Sequence, residues 1–75
     1  MIADLFIKKE ASVKQLVELY DRMEALFGGS CPSRILCYGS VLTITIESDY
    51  FISNNEIHEG ADDLDWIIKD IVRRQ

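Results

Sequence analysis

The sequence predicts a single α+β domain spanning residues 1–75, with a long N-terminal helix, a three-stranded antiparallel meander sheet and a C-terminal helix in the order α-β-β-β-α. Three observations favour this two-layer fold. Apolar residues recur at helical spacing in the first third of the chain, alternate in the middle, and recur at helical spacing near the end. Four glycines and one proline are too few for a linker or a low-complexity segment.

A helix is predicted for the first third of the chain, with an apolar stripe at positions 2, 5, 6, 13, 16, 17, 20, 23 and 27. Ser12 and Gln15 have the spacing of a capping box, which would begin the helix at residue 12. The stripe keeps its phase back to Ile2, which would instead extend the helix over residues 1–11. The sequence leaves both starting points open. Gly28-Gly29 is expected to end the helix.

The middle of the chain predicts a β-hairpin around a two-residue Gly39-Ser40 turn. The register that this turn implies places Cys37 opposite Leu42 and Ile35 opposite Ile44. Apolar side chains then share one face of the hairpin, which is the consistency that a correct register requires.

A third strand is predicted over residues 50–53, followed by a polar loop over 54–61 that could hold a short strand at 56–58. The sequence does not decide whether Phe51 or the pair Tyr50 and Ile52 faces the core. A closing helix is predicted from about residue 62 to residue 74. Its buried stripe would consist of Leu64, Ile67, Ile68 and Ile71. Both helices are expected to cover one face of the sheet, with one helix on each face as the alternative.

Charge is distributed unevenly along the chain, which carries a formal net charge of −5. Residues 1–34 have no net charge, and residues 69–75 sum to +2. Between residues 35 and 68 there is no Lys or Arg, while seven carboxylates occur there: Glu47, Asp49, Glu56, Glu59, Asp62, Asp63 and Asp65. These residues are interpreted as an ordinary solvated surface or as a binding surface for a basic partner. A divalent-metal site is the least favoured interpretation, because the spacing of an EF-hand is absent. Whether the seven carboxylates are contiguous in space is not decided by the sequence.

Trp66 lies off the predicted buried stripe, beside these acidic residues. Exposed tryptophans often anchor protein interfaces, although this ring could also fold over the sheet edge. Together with the seven carboxylates, Trp66 forms the predicted partner-binding site. A second surface is the outer sheet face, where Leu36, Tyr38, Val41 and Thr43 form a predicted homodimer interface.

Catalytic and metal-binding patterns are weak, so an enzyme is not expected, nor is a metal or another cofactor. His58 is a lone histidine, interpreted as a surface residue, and Cys31 is accompanied by no base that the sequence places nearby. The acidic balance argues against direct binding to nucleic acid or anionic membranes. Apolar runs of four to six residues are too short to cross a membrane, and no secretory leader is evident. The expected location is therefore the cytoplasm.

The function expected from these features is stoichiometric binding that inhibits or regulates a basic, nucleic-acid-binding protein. Anti-CRISPR proteins and other small acidic inhibitors encoded by phages and mobile elements act in this way, as do nuclease immunity proteins. The comparison rests on size and charge, with no shared motif. The alternative expectation is a homodimeric structural or adaptor module that associates through the outer sheet face.

Overall fold

In the part of the chain that the structure describes, four strands and two helices follow one another in the order β-α-β-β-α-β. The computed structural model describes residues 1–28, 34–38 and 42–74, and for residues 34–38 it describes the backbone. The strands are β1 (Ile2–Ile7), β2 (Arg34–Tyr38), β3 (Thr43–Glu47) and β4 (Ile68–Arg74), and the helices are α1 (Val13–Met23) and α2 (Asn54–Ala61). A π-helical turn (Glu24–Gly28) follows α1, and a 3₁₀-helix (Asp62–Ile67) follows α2.

The four strands form one antiparallel sheet in the order β2-β3-β1-β4. With this chain order, the arrangement is the split βαβ, or ferredoxin-like, topology. The α+β class predicted from the sequence is confirmed, but the sheet has four strands in place of the predicted meander of three. This topology supports many unrelated functions, so it does not by itself assign one.

The hydrophobic core lies between one face of the sheet and the two helices. In the central strands it contains Ala3, Leu5, Ile7, Ile44 and Ile46, and from the helical layer it contains Leu16, Leu19, Met23, Phe27, Ile57, Ala61 and Leu64. The other face of the sheet carries no covering element among the described residues. The helical layer and this open face are therefore the two broad surfaces of the molecule.

The start of α1 is fixed by its cap. The Ser12 hydroxyl accepts a hydrogen bond from the Gln15 amide, and the Gln15 side chain accepts one from the Ser12 amide. The capping box is thus confirmed, and the longer helix beginning at residue 2 is wrong. Ile2–Ile7 instead forms a central strand between β3 and β4. Its two edges pair with these neighbours, and the alternating side chains of Ala3, Leu5 and Ile7 enter the core from one face.

The predicted hairpin is present as β2 and β3, but its register differs from the prediction. Cys37 pairs with Ile44 and Ile35 with Ile46, so the pairing is shifted by two residues. A two-residue shift keeps each side chain on its original face, which explains why the facial pattern alone could not exclude the predicted register. The predicted Gly39-Ser40 turn lies outside the described residues.

Residues 50–53 and 54–61 differ from the prediction. No strand forms over residues 50–53; Ile52 is fully buried and Phe51 is mostly exposed. Residues 54–61 form α2 and not a loop with a short strand at 56–58. Its N-terminus is closed by a second capping box between Ser53 and Glu56. The polar sequence favoured a loop because only two side chains of this short helix, Ile57 and Ala61, are buried.

The predicted closing helix over residues 62–74 is also wrong. A 3₁₀-helix occupies its first part, and β4 begins at Ile68 and pairs with β1. Isoleucine and valine are concentrated in β4, and such β-branched residues favour an extended backbone. Their apolar spacing fitted a helix equally well, so pairing with a strand more than 60 residues away decides the outcome.

Candidate functional site

Exposed carboxylates are concentrated on the helical layer. Glu56 and Glu59 are exposed on α2, and Asp62 and Asp63 are exposed at the start of the 3₁₀-helix that continues it. Glu18 of α1 is also exposed. Because both helices pack on the same face of the sheet, segments that are distant in sequence meet on this side of the molecule.

Arg22 joins these segments. Its Nη1 donates hydrogen bonds to the Ala61 carbonyl oxygen and to Asp63 Oδ1, both at 2.6 Å, and its Nη2 donates to Glu18 Oε2 at 2.7 Å. We call Glu18, Glu56, Glu59, Asp62 and Asp63 the acidic surface. The hydrogen bond from Arg22 lowers the pKa of Asp63, although desolvation opposes the shift. Asp63 therefore stays ionised to lower pH than an ordinary aspartate.

Asp62 has an unusual backbone conformation at the junction of α2 and the 3₁₀-helix. Its φ is 53° and its ψ is −119°, a region that glycine adopts readily and other residues adopt at a cost. A strained residue persists only where its surroundings enforce the conformation. Here an aspartate occupies the strained position within the acidic surface.

Replacing Asp62 by glycine is therefore expected to raise the free energy of unfolding, by about 1 kcal/mol, because the strain is relieved. The matched control is Asn55→Gly, at an exposed position of the regular helix α2. This control is expected to lower the free energy of unfolding by a few tenths of a kcal/mol. Urea denaturation followed by circular dichroism measures both. A loss of stability in Asp62→Gly similar to that in Asn55→Gly would contradict the prediction.

An open groove of about 350 Å³ borders the acidic surface, between the π-helical turn and α2. It is lined by Leu26, Phe27, Glu56, Glu59 and Gly60. Leu26 is 54% exposed, while Phe27 beside it is buried. This groove was missed by the sequence analysis, which placed Glu56 and Glu59 in a loop. Of the apolar residues that line the groove, Phe27 belongs to the predicted helical stripe, and Leu26 precedes it in the sequence.

Asp65, on the same 3₁₀-helix, is not counted in the acidic surface because it contacts His58. The His58 Nδ1 atom is in hydrogen-bonding contact with Asp65 Oδ1. Both side chains are about half exposed. His58 also lines a small cleft between α2 and β4, together with Asn54, Lys69 and Asp70. Asp65 is therefore engaged within the molecule, unlike Glu59 and Asp62, which form no ion pair with a described residue.

Glu47 and Asp49 lie at the end of β3 and in the segment that follows it. In the sheet register Glu47 is opposite Ile2, and the amide of Ser48 donates to the Met1 carbonyl oxygen. Glu47 and Asp49 therefore belong to a different part of the chain from the helices that carry the acidic surface. Of the seven predicted carboxylates, four thus belong to the acidic surface and three lie elsewhere, while Glu18 joins it from outside the predicted segment.

Trp66 is 49% exposed on the 3₁₀-helix. The next residue, Ile67, accepts a 2.8 Å hydrogen bond from the amide of Lys8, so the end of this helix lies against the β1–α1 turn. Lys8, Lys9 and Lys69 line a groove at the same turn. The 3₁₀-helix therefore runs from the acidic surface toward a cluster of lysines.

The open face of the sheet has a polar centre that the sequence analysis missed. Asp4 Oδ1 accepts a hydrogen bond from the Thr45 hydroxyl at 2.7 Å, and the Arg74 guanidinium donates to both Asp4 carboxylate oxygens at 2.7 and 3.0 Å. Burial raises the pKa of Asp4, but the bonds from Arg74 and Thr45 outweigh it, so the pKa is below its usual value. In the sequence, Asp4 is the single charged residue within Ile2–Ile7, and this isolated charge among apolar residues could have indicated the polar centre.

The predicted dimer interface is only partly described. By backbone register Tyr38 pairs with Thr43, and Leu36 pairs with Thr45, on the open face. Thr43 is only 5% exposed, so it offers little surface to a second subunit. Val41 lies outside the described residues. Phe6 and Val72, which the sequence analysis did not select, are partly exposed on this face.

Within residues 1–28 and 42–74, no three His, Asp or Glu side chains are grouped so that they could hold a metal ion. None of the helices in the described part of the chain has the length and apolar character needed to cross a membrane. The sequence matches no protein-family model, and no curated protein and no solved structure was found to be similar to this chain.

Proposed function

We propose that this protein is a small acidic binding protein that inhibits or regulates a basic, nucleic-acid-binding partner in the cytoplasm. The observation that supports the proposal is that Arg22 brings Glu18 of α1 together with Asp63 of the 3₁₀-helix, next to the segment of α2 and the 3₁₀-helix that carries the exposed Glu56, Glu59 and Asp62. Arg22 is the described cation bonded to it, and its donors are already directed at Glu18, Asp63 and the Ala61 carbonyl. Glu59 is left to attract external cations, and Asp62, whose charge acts on Arg22 without forming an ion pair with it, adds to that attraction.

The mechanism follows from electrostatics. A protein that binds DNA or RNA presents lysines and arginines that contact phosphates. An acidic surface is attracted to such a basic site, and this attraction raises the association rate. Once bound, the acidic surface occupies the positions that phosphates would take. Inhibition would therefore be stoichiometric, and it would weaken as salt screens the charges.

The strained backbone of Asp62 also supports this proposal. Strain tolerated at one position is a reason to look for a role of that position in function. Glycine would relieve the strain at Asp62, but it would also remove one of the carboxylates of the acidic surface. An aspartate at this position therefore supplies a carboxylate to the acidic surface at a cost in backbone strain.

The test is a charge change that leaves the fold intact. Glu59→Lys combined with Asp62→Asn raises the net charge of the acidic surface by three units, while sparing the capping residue Glu56 and the Asp63–Arg22 pair. Glu10→Lys combined with Asp70→Asn makes the same change in net charge at exposed positions elsewhere.

The partner would first be retained on the immobilised protein from a host-cell lysate at about 50 mM salt and identified by mass spectrometry. Purified partner is then titrated with each variant, and its binding to its own nucleic acid is measured. The acidic-surface variant is expected to bind at least about tenfold more weakly than the parent protein, while the control stays within about twofold. Equal binding by both variants, or a partner that binds nucleic acid and this protein at once, would refute the proposal.

A second candidate function is a homodimeric structural or adaptor module. Phe6 and Val72 favour it, because they expose apolar surface on the open face of the sheet. Light scattering on the purified protein tests this candidate. A dimer would have twice the 8.6 kDa mass of the chain, and Phe6→Lys would return it to a monomer. A monomeric parent protein would exclude the candidate.

A further inference from the structure

The groove between the π-helical turn and α2 has an origin that can be traced to two features. In the π-helical turn, Glu24, Ala25 and Leu26 are exposed in succession and Phe27 is buried. Inserted π-helical turns are frequent at functional sites. Here the turn places the Leu26 side chain at the edge of the groove and Phe27 beneath it.

Gly60 is the second feature. A Cβ atom at this position would lie 2.6 Å from Leu26 Cδ1 and 3.3 Å from Met23 Cε. The absence of a side chain therefore lets the Leu26 and Met23 side chains pack directly against the backbone of α2. Glycine inside a helix costs about 1 kcal/mol relative to alanine, so this close approach comes at the expense of helix stability.

The chemistry of the groove indicates what it can bind. Its floor is apolar, and the two charged residues on its rim, Glu56 and Glu59, are both acidic. No cation is among the described residues that line it. At about 350 Å³ it is at the low end of the volume range of small-molecule sites, and it is large enough for a protruding side chain.

We propose that this groove binds an apolar side chain that a basic segment of the partner protein presents between lysines or arginines. The apolar side chain would pack on Leu26 and Phe27, while the flanking cations would face Glu56 and Glu59. This inference rests on the proposed function and adds the point of contact. Interfaces derive most of their affinity from a few such buried anchors, and the surrounding charges supply steering and orientation.

Two synthetic peptides test the groove directly. Both carry four arginines; one has the sequence Arg-Arg-Gly-Leu-Gly-Arg-Arg, and the other has glycine in place of the leucine. Each is titrated into the ¹⁵N-labelled protein at low salt. The leucine peptide is expected to bind about fivefold more tightly, with the largest additional chemical-shift changes at Leu26, Phe27 and Gly60. Equal affinities, or shifts confined to other residues, would overturn the proposal.

Gly60→Ala supplies the matched variant. The added methyl group would displace the Leu26 side chain, which lines the groove; the exposed end of that side chain can move aside, so the groove wall changes while the fold is expected to survive. The variant should lose the preference for leucine, so that both peptides bind alike. Asn55→Ala, at an exposed α2 position away from the groove, should keep the fivefold preference. A preference that persists in Gly60→Ala would overturn the proposal.

The two proposals can fail separately. If the identified partner binds less tightly to the Glu59→Lys/Asp62→Asn variant but equally well to Gly60→Ala, the groove inference is wrong and the proposed function stands. If charge reversal leaves partner binding unchanged while the leucine preference of the peptides is still lost in Gly60→Ala, the proposed function is wrong and the groove remains a site for basic, apolar segments.

Discussion

Replacing Ile57 by alanine is expected to lower the free energy of unfolding by about 3 kcal/mol, within the range for truncation of a fully buried isoleucine. Ile57 has no exposed surface and is the central core residue of α2. A domain of this length has a total stability of roughly 4 to 11 kcal/mol, so the loss would be a large share of it. The melting temperature should fall by roughly 12 to 24 °C.

Urea and thermal denaturation measure this effect, with Asn55→Ala as the control. Asn55 is exposed on the same helix, and alanine has the higher helix propensity, so this variant should be neutral or slightly stabilising. If Ile57→Ala were as stable as Asn55→Ala, residues 54–61 would behave as the solvated loop that the sequence pattern favoured, and α2 would not be part of the core.

Replacing Asp4 by alanine is expected to lower the free energy of unfolding by about 2 kcal/mol. The change removes the Asp4 carboxylate that accepts a hydrogen bond from the Thr45 hydroxyl. Thr45 is only 2% exposed, so its hydroxyl is left as a buried donor without an acceptor. The Arg74 side chain is more than half exposed, so water can replace part of its contribution. The double variant Asp4→Val/Thr45→Val should recover most of the loss, because it leaves no unpaired buried group.

The Asp4 interaction is also expected to depend on pH. Burial raises the pKa of Asp4, but the bonds from Arg74 and Thr45 lower it by more than burial raises it. The folded-state pKa therefore lies below the ordinary value near 3.8. Its stabilising contribution is then fully present above that ordinary value and is lost as the pH falls through the lower folded-state pKa.

Denaturation of the parent protein and of Asp4→Asn between pH 7 and pH 2.5 measures this dependence. The stability difference between the two should be constant above about pH 5 and should shrink below about pH 4. Asp63 has a lowered pKa as well, but it is present in both proteins and cancels in the comparison. A difference that grew on acidification would contradict the assignment.

Local signals in the sequence determined part of this structure. The Ser12–Gln15 capping box fixed the start of α1, because its two hydrogen bonds lie within four residues and need no distant partner. The facial alternation of β2 and β3 was also correct. The same kind of local signal, the Ser53–Glu56 capping box, was present before α2, but the polar residues that follow it concealed the short helix.

The strands β1 and β4 and the makeup of the acidic surface were decided by the tertiary structure. The apolar residues of both segments fit helical and extended spacing equally well, and they become strands because they pair with each other across more than 60 residues of chain. The charge imbalance of residues 35–68 was evident in the sequence. Arg22 reaches Glu18 by the i,i+4 spacing of α1, but it reaches Asp63 only because α1 packs against α2 and the 3₁₀-helix that follows it, and no spacing along the chain encodes that second contact.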